Sequence, residues 1–168
     1  MVKTDSGKIF VISAPSGTGK TTIARKLKEL VKGIEIITTY TTRKPRQDEK
    51  DGCDYRFITE EEFTRMVEEE KFAEWATVYC NHYGTPREDI ISAIERGKKV
   101  LLIIDTQGGR SIKKIFPEAV LIGILPPSIK EQERRIRERS GVSEEEIKKR
   151  LASAREERKV ILSEYDYR

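Results

Sequence analysis

The 168 residues include one tryptophan, one histidine, two cysteines and two methionines. Cys53 and Cys80 stand singly, without a CxxC spacing or a nearby histidine, so neither a disulfide scaffold nor a zinc site is expected. His82, as the sole histidine, is expected to serve packing or the surface rather than to act as a base. Long apolar runs are missing too: none approaches the roughly 18 residues that a membrane span needs. Met1 to Lys8 lacks the apolar stretch and small-residue cleavage site of a secretory signal, which leads to an expected cytoplasmic location and no membrane partner. Nor does one sign of charge dominate. The 33 basic and 29 acidic residues leave a net charge of +4 and are interleaved, so a pI near 9.0 brings no basic stripe and no expected nucleic-acid partner. What is present, 36% apolar residues in a chain of this length, suffices for one folded domain with a real core and excludes disorder.

The apolar pattern alternates between strands and helices. Lys8 to Ser13 reads as a buried strand, followed by a glycine-rich turn and a helix from Thr21 with Ile23, Leu27, Leu30 and Val31 in register and Gly33 at its end. Ile34 to Ile58 is β-rich but broken at Arg43–Arg46 and at Asp51-Gly52, which predicts a lobe of short strands instead of another crossover. Capping boxes are expected at Thr59–Glu62, Thr85–Glu88 and Ser143–Glu146, with Ser128 a further N-cap. A strand is predicted over Phe72 to Tyr79, and the helix after Thr85 should bury Ile90, Ile91 and Ile94 and stop at Gly97. Lys99 to Asp105 is the most apolar strand and is expected at the centre of a parallel sheet. Gly108 and Gly109 are read as a break before a short helix, Ala119 to Leu125 as a third core strand, and the charged remainder as helical. The predicted class is α/β.

Ala14-Pro15-Ser16-Gly17-Thr18-Gly19-Lys20-Thr21 lies between the first strand and the first helix, the context a Walker A phosphate loop requires. Backbone N–H groups of such a loop wrap phosphate oxygens, Lys20 supplies a movable positive charge, and the Thr21 hydroxyl suits Mg²⁺. Ala14 replaces the first glycine of the pattern, a mild departure. Asp105 ends the most apolar strand, where a Walker B carboxylate holds Mg²⁺ directly or through water. A nucleoside triphosphate and Mg²⁺ are therefore the expected co-substrate and cofactor. For an acceptor, Arg43 and Arg46 flank Lys44-Pro45 in a restrained turn, and paired guanidinium forks suit bidentate capture of a phosphate. Tyr55 and Tyr83 can donate hydroxyl hydrogen bonds to the same anion.

The runs Thr41–Arg46, Asp51–Phe57, Phe72–Ala76, Tyr83–Thr85, Ile104–Gly108 and Leu125–Ser128 follow one another in an order and spacing that resembles the guanylate kinases, over about Ile9 to Tyr167. The resemblance implies a P-loop NTPase-type three-layer sandwich with a central parallel sheet, an inserted mixed-β GMP-binding lobe and a helical lid. It implies a single domain: a core over 8–37 and 97–133, the lobe at about 38–96, the lid at about 134–150 and a C-terminal helix at about 144–164. It implies reversible transfer from ATP to GMP or dGMP in purine metabolism. Arg43, Arg46, Tyr55 and Tyr83 would hold the acceptor phosphate, while Thr39, Glu74 and Thr85 would hold guanine. Asp105 would lie near both guanine and metal, without assignment to one. Arg135, Arg139 and Arg150 would be lid arginines, joining Lys20 and Arg43 as the catalytic set, whereas Lys148 and Lys149 read as an exposed salt-bridged face.

Ile103, His82 and the Arg139–Val142 turn depart from the family's usual residues. At Tyr165–Arg168 the resemblance implies a further strand, an Asn-Asp-rich loop and a helix, so the chain is expected to be shorter than the family's full domain. Two other functions stay open: a ribose 1,5-bisphosphate phosphokinase, disfavoured by the base-pocket residues Glu74 and Thr85, and a non-catalytic phosphopeptide-binding module, disfavoured by Lys20 and the lid arginines. Monomer and homo-oligomer are equally compatible with the sequence.

Overall fold

The computed structural model describes residues 8–47, 49–78, 80–138 and 143–168, and the side chain of Thr21 lies outside what it describes. Arg139, with the rest of its turn, lies outside the described residues as well. In chain order the elements are β1 (Ile9–Ser13), α1 (Lys20–Leu30), β2 (Ile34–Ile36), β3 (Tyr40–Thr41), β4 (Arg56–Phe57), α2 (Glu60–Glu68) and β5 (Phe72–Val78). They continue with β6 (Asn81–Pro86), α3 (Arg87–Glu95), β7 (Lys99–Ile103), α4 (Thr106–Ile115), β8 (Val120–Gly123), α5 (Ile129–Arg137) and α6 (Glu144–Glu164).

The strands form two sheets. One is parallel throughout, in the order β2-β7-β1-β8, with Ile9 opposite Val100 and Phe10 opposite both Leu101 and Val120. β7 and β1 are the inner strands, and Val11, Val100 and Leu102 are sealed from solvent, as the continuous apolar runs predict. The chain also lays Tyr167 beside Ile122 in parallel, outside β8. The other sheet is mixed, in the order β4-β3-β6-β5, with β3 parallel to β4 and β6 antiparallel to both β3 and β5. Its outer face packs on an aromatic cluster in which Phe63 of α2 stacks on Phe72 at 4.7 Å and on His82 at 5.2 Å. His82 also bonds Thr77 at 2.9 Å, so it serves this packing and not the cleft.

Four local readings need correction. Ile34–Ile36 belongs to the core sheet, within the 8–37 core, and not to the lobe that the local β-rich pattern from Ile34 suggests, because α1 crosses over to set β2 beside β7 and Leu101 accepts the next N–H, that of Ile37, at 3.1 Å. Thr85 does not cap α3, whose N-cap is Pro86 without a side-chain bond; its hydroxyl is sealed inside and donates to Glu74. Gly108 and Gly109 lie within α4, where packing and not a turn selects glycine: a Cβ on Gly108 would come within 2.7 Å of Glu74 Oε2. Leu30 and Ile91 point outward, while Ala24 in α1 and Ile90 and Ala93 in α3 are buried. The Thr59–Glu62 capping box forms as expected, and Ser128 and Ser143 cap α5 and α6.

α6 bears on the site through one face. Ile147, Arg150, Ala154, Glu157 and Ile161 recur at spacings of three and four, and the apolar members of that series are buried. At its end the Tyr165 hydroxyl donates to Ser13 Oγ at 2.7 Å, and Ser13 Oγ donates to the Asp105 carbonyl at 3.1 Å, tying α6 to the ends of β1 and β7. Tyr165→Phe is expected to cost about 1 kcal/mol, read as a fall in melting temperature of about 2–4 °C, since one buried hydrogen bond goes while the ring still packs. Among the described residues no helix is long and apolar enough to cross a membrane.

Candidate active site

The carboxyl ends of β1 and β7 open into a cleft of about 340 Å³. One wall is the phosphate loop: Pro15, Ser16, Gly17, Thr18, Gly19 and Lys20 line it, while Ala14 is buried behind them. Gly17 and Gly19 adopt φ of 83° and 97°, left-handed values that side chains resist and that turn successive N–H groups inward. The loop runs directly into α1, so the positive end of the helix dipole faces the same space. Thr18 Oγ1 is buried and has no partner among the described residues, an unmet bond that a phosphate oxygen would satisfy.

The opposite wall comes from the lobe. Thr39, Arg43, Arg46, Tyr55, Glu74 and Tyr83 all line the same cleft, brought there by the residue before β3, the segment between β3 and β4, and strands β5 and β6. Arg43 pairs with Glu49 at 2.9 Å and lies 5.4 Å from the Tyr55 ring centroid, and the Arg46 backbone N–H donates to the other oxygen of Glu49 at 2.8 Å. Burial works against the Arg43 charge, and bonds to Glu49 and Tyr83 outweigh it, so the guanidinium stays fully protonated. Burial likewise pushes the Tyr55 phenol up, keeping it a neutral donor.

Glu74 is 7% exposed and points from β5 into the gap above Gly108. Burial pushes its carboxyl up to about 7, the Thr85 hydrogen bond opposes the rise, and the nearby Asp105 charge adds to it. Thr85 itself does not line the cleft; it acts on Glu74 from behind. Asp105 lines the cleft between the two walls, where its side chain also caps α4 by accepting from the Gly108 N–H at 2.8 Å. Ile103, one of the departures from the resemblance, faces the cleft as an apolar residue.

Of the two expected lid arginines among the described residues, Arg135 and Arg150, Arg150 lines the cleft, with Glu146 of its own helix bonded to it. Arg135 is held along α5 by Glu131 at 2.7 Å and is not among the lining residues. Sequence reasoning missed Glu49, Gln132 and Glu157. Glu157 lines the cleft beside the loop, and burial pushes it up to about 7; Lys20 opposes that rise, Asp105 adds to it, and a hydrogen bond from the Ser16 backbone opposes it. The one signal for Glu157 was its place in the Ile147, Ala154, Ile161 series of buried positions.

A parallel α/β core with a phosphate loop at its strand ends, facing an inserted mixed-sheet lobe across one cleft, defines a P-loop nucleotide-kinase fold. The guanylate kinase family model matches residues 6–168. Among curated proteins, the guanylate kinase of Caldanaerobacter subterraneus subsp. tengcongensis is 50% identical over 161 residues, 96% of this chain and 78% of that one. The Clostridioides difficile guanylate kinase is 45% identical, with the same coverage of 96% and 78%. The crystal structure of guanylate kinase from Anaplasma phagocytophilum superposes with a TM-score of 0.80 at 34% identity, covering 97% of this chain and 76% of that one. The chain belongs to the guanylate kinase family.

Proposed function

We propose that the protein transfers the terminal phosphoryl group of ATP to GMP or dGMP, reversibly and with Mg²⁺, in the cytoplasm. One observation carries the reading: the phosphate loop and the lobe side chains Arg43, Arg46, Tyr55, Glu74 and Tyr83 line a single cleft from opposite sides. In this reading the loop from Ala14 to Thr21 takes the ATP phosphates, and Arg43, Arg46, Tyr55 and Tyr83 take the GMP phosphate. The carboxylate of Glu74 accepts from N1–H and the exocyclic amine of guanine, assisted by Thr39 and Thr85; adenine would present an acceptor at N1 instead.

The acceptor phosphate is already an anionic nucleophile, so the work is positioning and charge stabilisation. Arg43 and Arg46 hold the attacking oxygen in place, and Lys20 draws charge from the transferred group. Arg135, Arg139 and Arg150 complete that set when the lid closes, and closure excludes water that would otherwise accept the phosphoryl group. Arg135 must exchange Glu131 for phosphate to do so.

The donor set fits Mg²⁺. Asp105 and Glu157 repel one another's charge beside the loop, and Asp105 also raises Glu74, which leaves negative charge that a dication relieves. Among the described residues no three His, Cys, Asp or Glu side chains gather closely enough to hold a metal alone, the regime in which Mg²⁺ relies on substrate phosphates and water. Thr21 and Asp105 are its assigned protein contacts. When bound, Mg²⁺ neutralises charge on the donor phosphates.

A coupled assay with ATP and GMP, dGMP, AMP, CMP, UMP or ribose 1,5-bisphosphate tests the assignment. Turnover with GMP and dGMP is expected to exceed every other acceptor by about 10³-fold or more in kcat/KM, because a site built to hydrogen-bond one base edge leaves buried groups unpaired with another. An equal or faster rate with ribose 1,5-bisphosphate or AMP sinks it.

A further inference from the structure

Ser16, inside the phosphate loop, is gripped from outside by two helices. Gln132 of α5, only 5% exposed, donates from Nε2 to the Ser16 carbonyl at 2.8 Å. Glu157 of α6 lines the same cleft as Ser16 and Lys20, where its carboxyl takes a backbone hydrogen bond from Ser16 and feels the Lys20 charge. Both polar groups of one loop residue are thus satisfied by side chains remote in sequence. α5 is also packed against the next residue, since a Cβ on Gly17 would come within 3.1 Å of Ile136 Cγ1. The same two helices carry the phosphate-directed arginines: Arg135 lies one turn beyond Gln132, and Arg150 lies two turns before Glu157 on the same face.

We propose that Gln132 and Glu157 form a clamp on Ser16 that holds the donor phosphate loop and the arginine-bearing helices in one frame, making both of them positioning residues for ATP. The inference rests on the reading of this loop as the ATP site. A phosphate nest works when its N–H groups converge before the anion arrives. With its N–H and C=O both committed, the peptide planes on either side of Ser16 are held, and the N–H groups that follow start from a fixed plane. The Glu157 carboxylate meanwhile keeps the Lys20 ammonium at the cleft, so less of its long side chain's freedom is lost when phosphate binds. Neither side chain needs to touch the nucleotide to do this. The mechanical consequence is that a shift of α5 or α6 reaches the loop through Ser16, and a phosphate bound in the loop biases where Arg135 and Arg150 stand.

The test uses the whole chain and measures ADP and GMP affinity by calorimetry, with steady-state kinetics alongside. Glu157→Ala and Gln132→Leu are each expected to weaken ADP about tenfold, the scale of losing one hydrogen bond to a buried or charged group. Both should raise KM for ATP and leave GMP affinity unchanged. The double variant should lose less than the product of the two, because both act through Ser16. Glu157→Gln keeps an acceptor for the Ser16 N–H and is expected to fall between alanine and wild type. Glu156→Gln, one position away on the exposed face, is expected to change nothing. ADP affinity at the wild-type level in the Glu157 and Gln132 variants overturns the clamp, as does an equal loss of ADP and GMP affinity. Should Glu157→Ala fail to fold, the isosteric Glu157→Gln and Gln132→Leu decide on the same criterion. GMP turnover that survives with ADP binding untouched by these variants would overturn the clamp and leave the proposed function standing. Weakened ADP binding in a protein that does not phosphorylate GMP would do the reverse.

Discussion

Lys20→Met is expected to lower kcat for GMP phosphorylation by about 10³-fold while GMP affinity stays within about twofold of wild type. The asymmetry follows from the two walls of the cleft. Lys20 stands on the loop wall with Gly17 and Gly19, whereas the groups assigned to GMP come from the lobe: Arg43, Arg46, Tyr55, Glu74 and Tyr83. Methionine is close in length and keeps the apolar stem, so the loop retains its packing and loses only the charge that follows the phosphoryl group across the cleft. That charge matters most when the transferred group is loosely bonded to both oxygens, hence the loss falls on kcat more than on binding. The measurements are kcat by coupled assay and GMP affinity by calorimetry. Unchanged turnover would show that the loop takes no part in the chemistry. Loss of GMP affinity on the scale of the kcat loss would place Lys20 on the acceptor side instead.

How far the site was legible depended on whether its residues act locally. The loop from Ala14 to Thr21 was readable because strand, glycines, lysine and helix are contiguous in sequence. The Arg43–Arg46 turn was readable as an anion trap, but not the Glu49 that holds it, since nothing in the local pattern marks one acid among many. Glu74 and Thr85 came forward only through the family resemblance. Thr85 in fact sat in a better local motif, a capping box, which lost to a tertiary partner because its hydroxyl is sealed against the Glu74 carboxylate. Gly108 and Gly109 misled in the same way: glycine locally predicts a turn, yet here it lets α4 pass close to Glu74 and Tyr165. Glu157 looks like its exposed neighbour Glu156 until the spacing from Ile147 through Ala154 to Ile161 is followed, and its partner Ser16 is then supplied only by the fold.

Glu74 leads to the second large effect, in which pH and substitution check each other. Its carboxyl is pushed up to about 7 by burial first, with Asp105 adding and Thr85 opposing. Guanine needs the ionised form, which alone can accept from both N1–H and the amine. As pH falls through about 7, the free enzyme becomes protonated at Glu74, and kcat/KM for GMP is expected to drop toward tenfold per unit below about pH 6. Stability runs the other way. The native state binds a proton that the unfolded chain releases between about 4.5 and 7, so the folded state is favoured at low pH and loses about 3 kcal/mol from this group as pH rises through that window. Glu74→Gln removes the titration, so above about pH 8 it is expected to melt no lower than wild type. It should nevertheless lose about 10²- to 10⁴-fold in kcat/KM for GMP, since the amide presents a donor where guanine also presents one. The same donor faces the acceptor N1 of adenine, so the preference for GMP over AMP should narrow. The two profiles measured together are decisive. An acidic limb that survives in Glu74→Gln belongs to another group in the cleft, with Glu157, whose carboxyl burial also pushes up to about 7, the first to test. A Gln variant as active with GMP as the wild type would remove Glu74 from base recognition altogether.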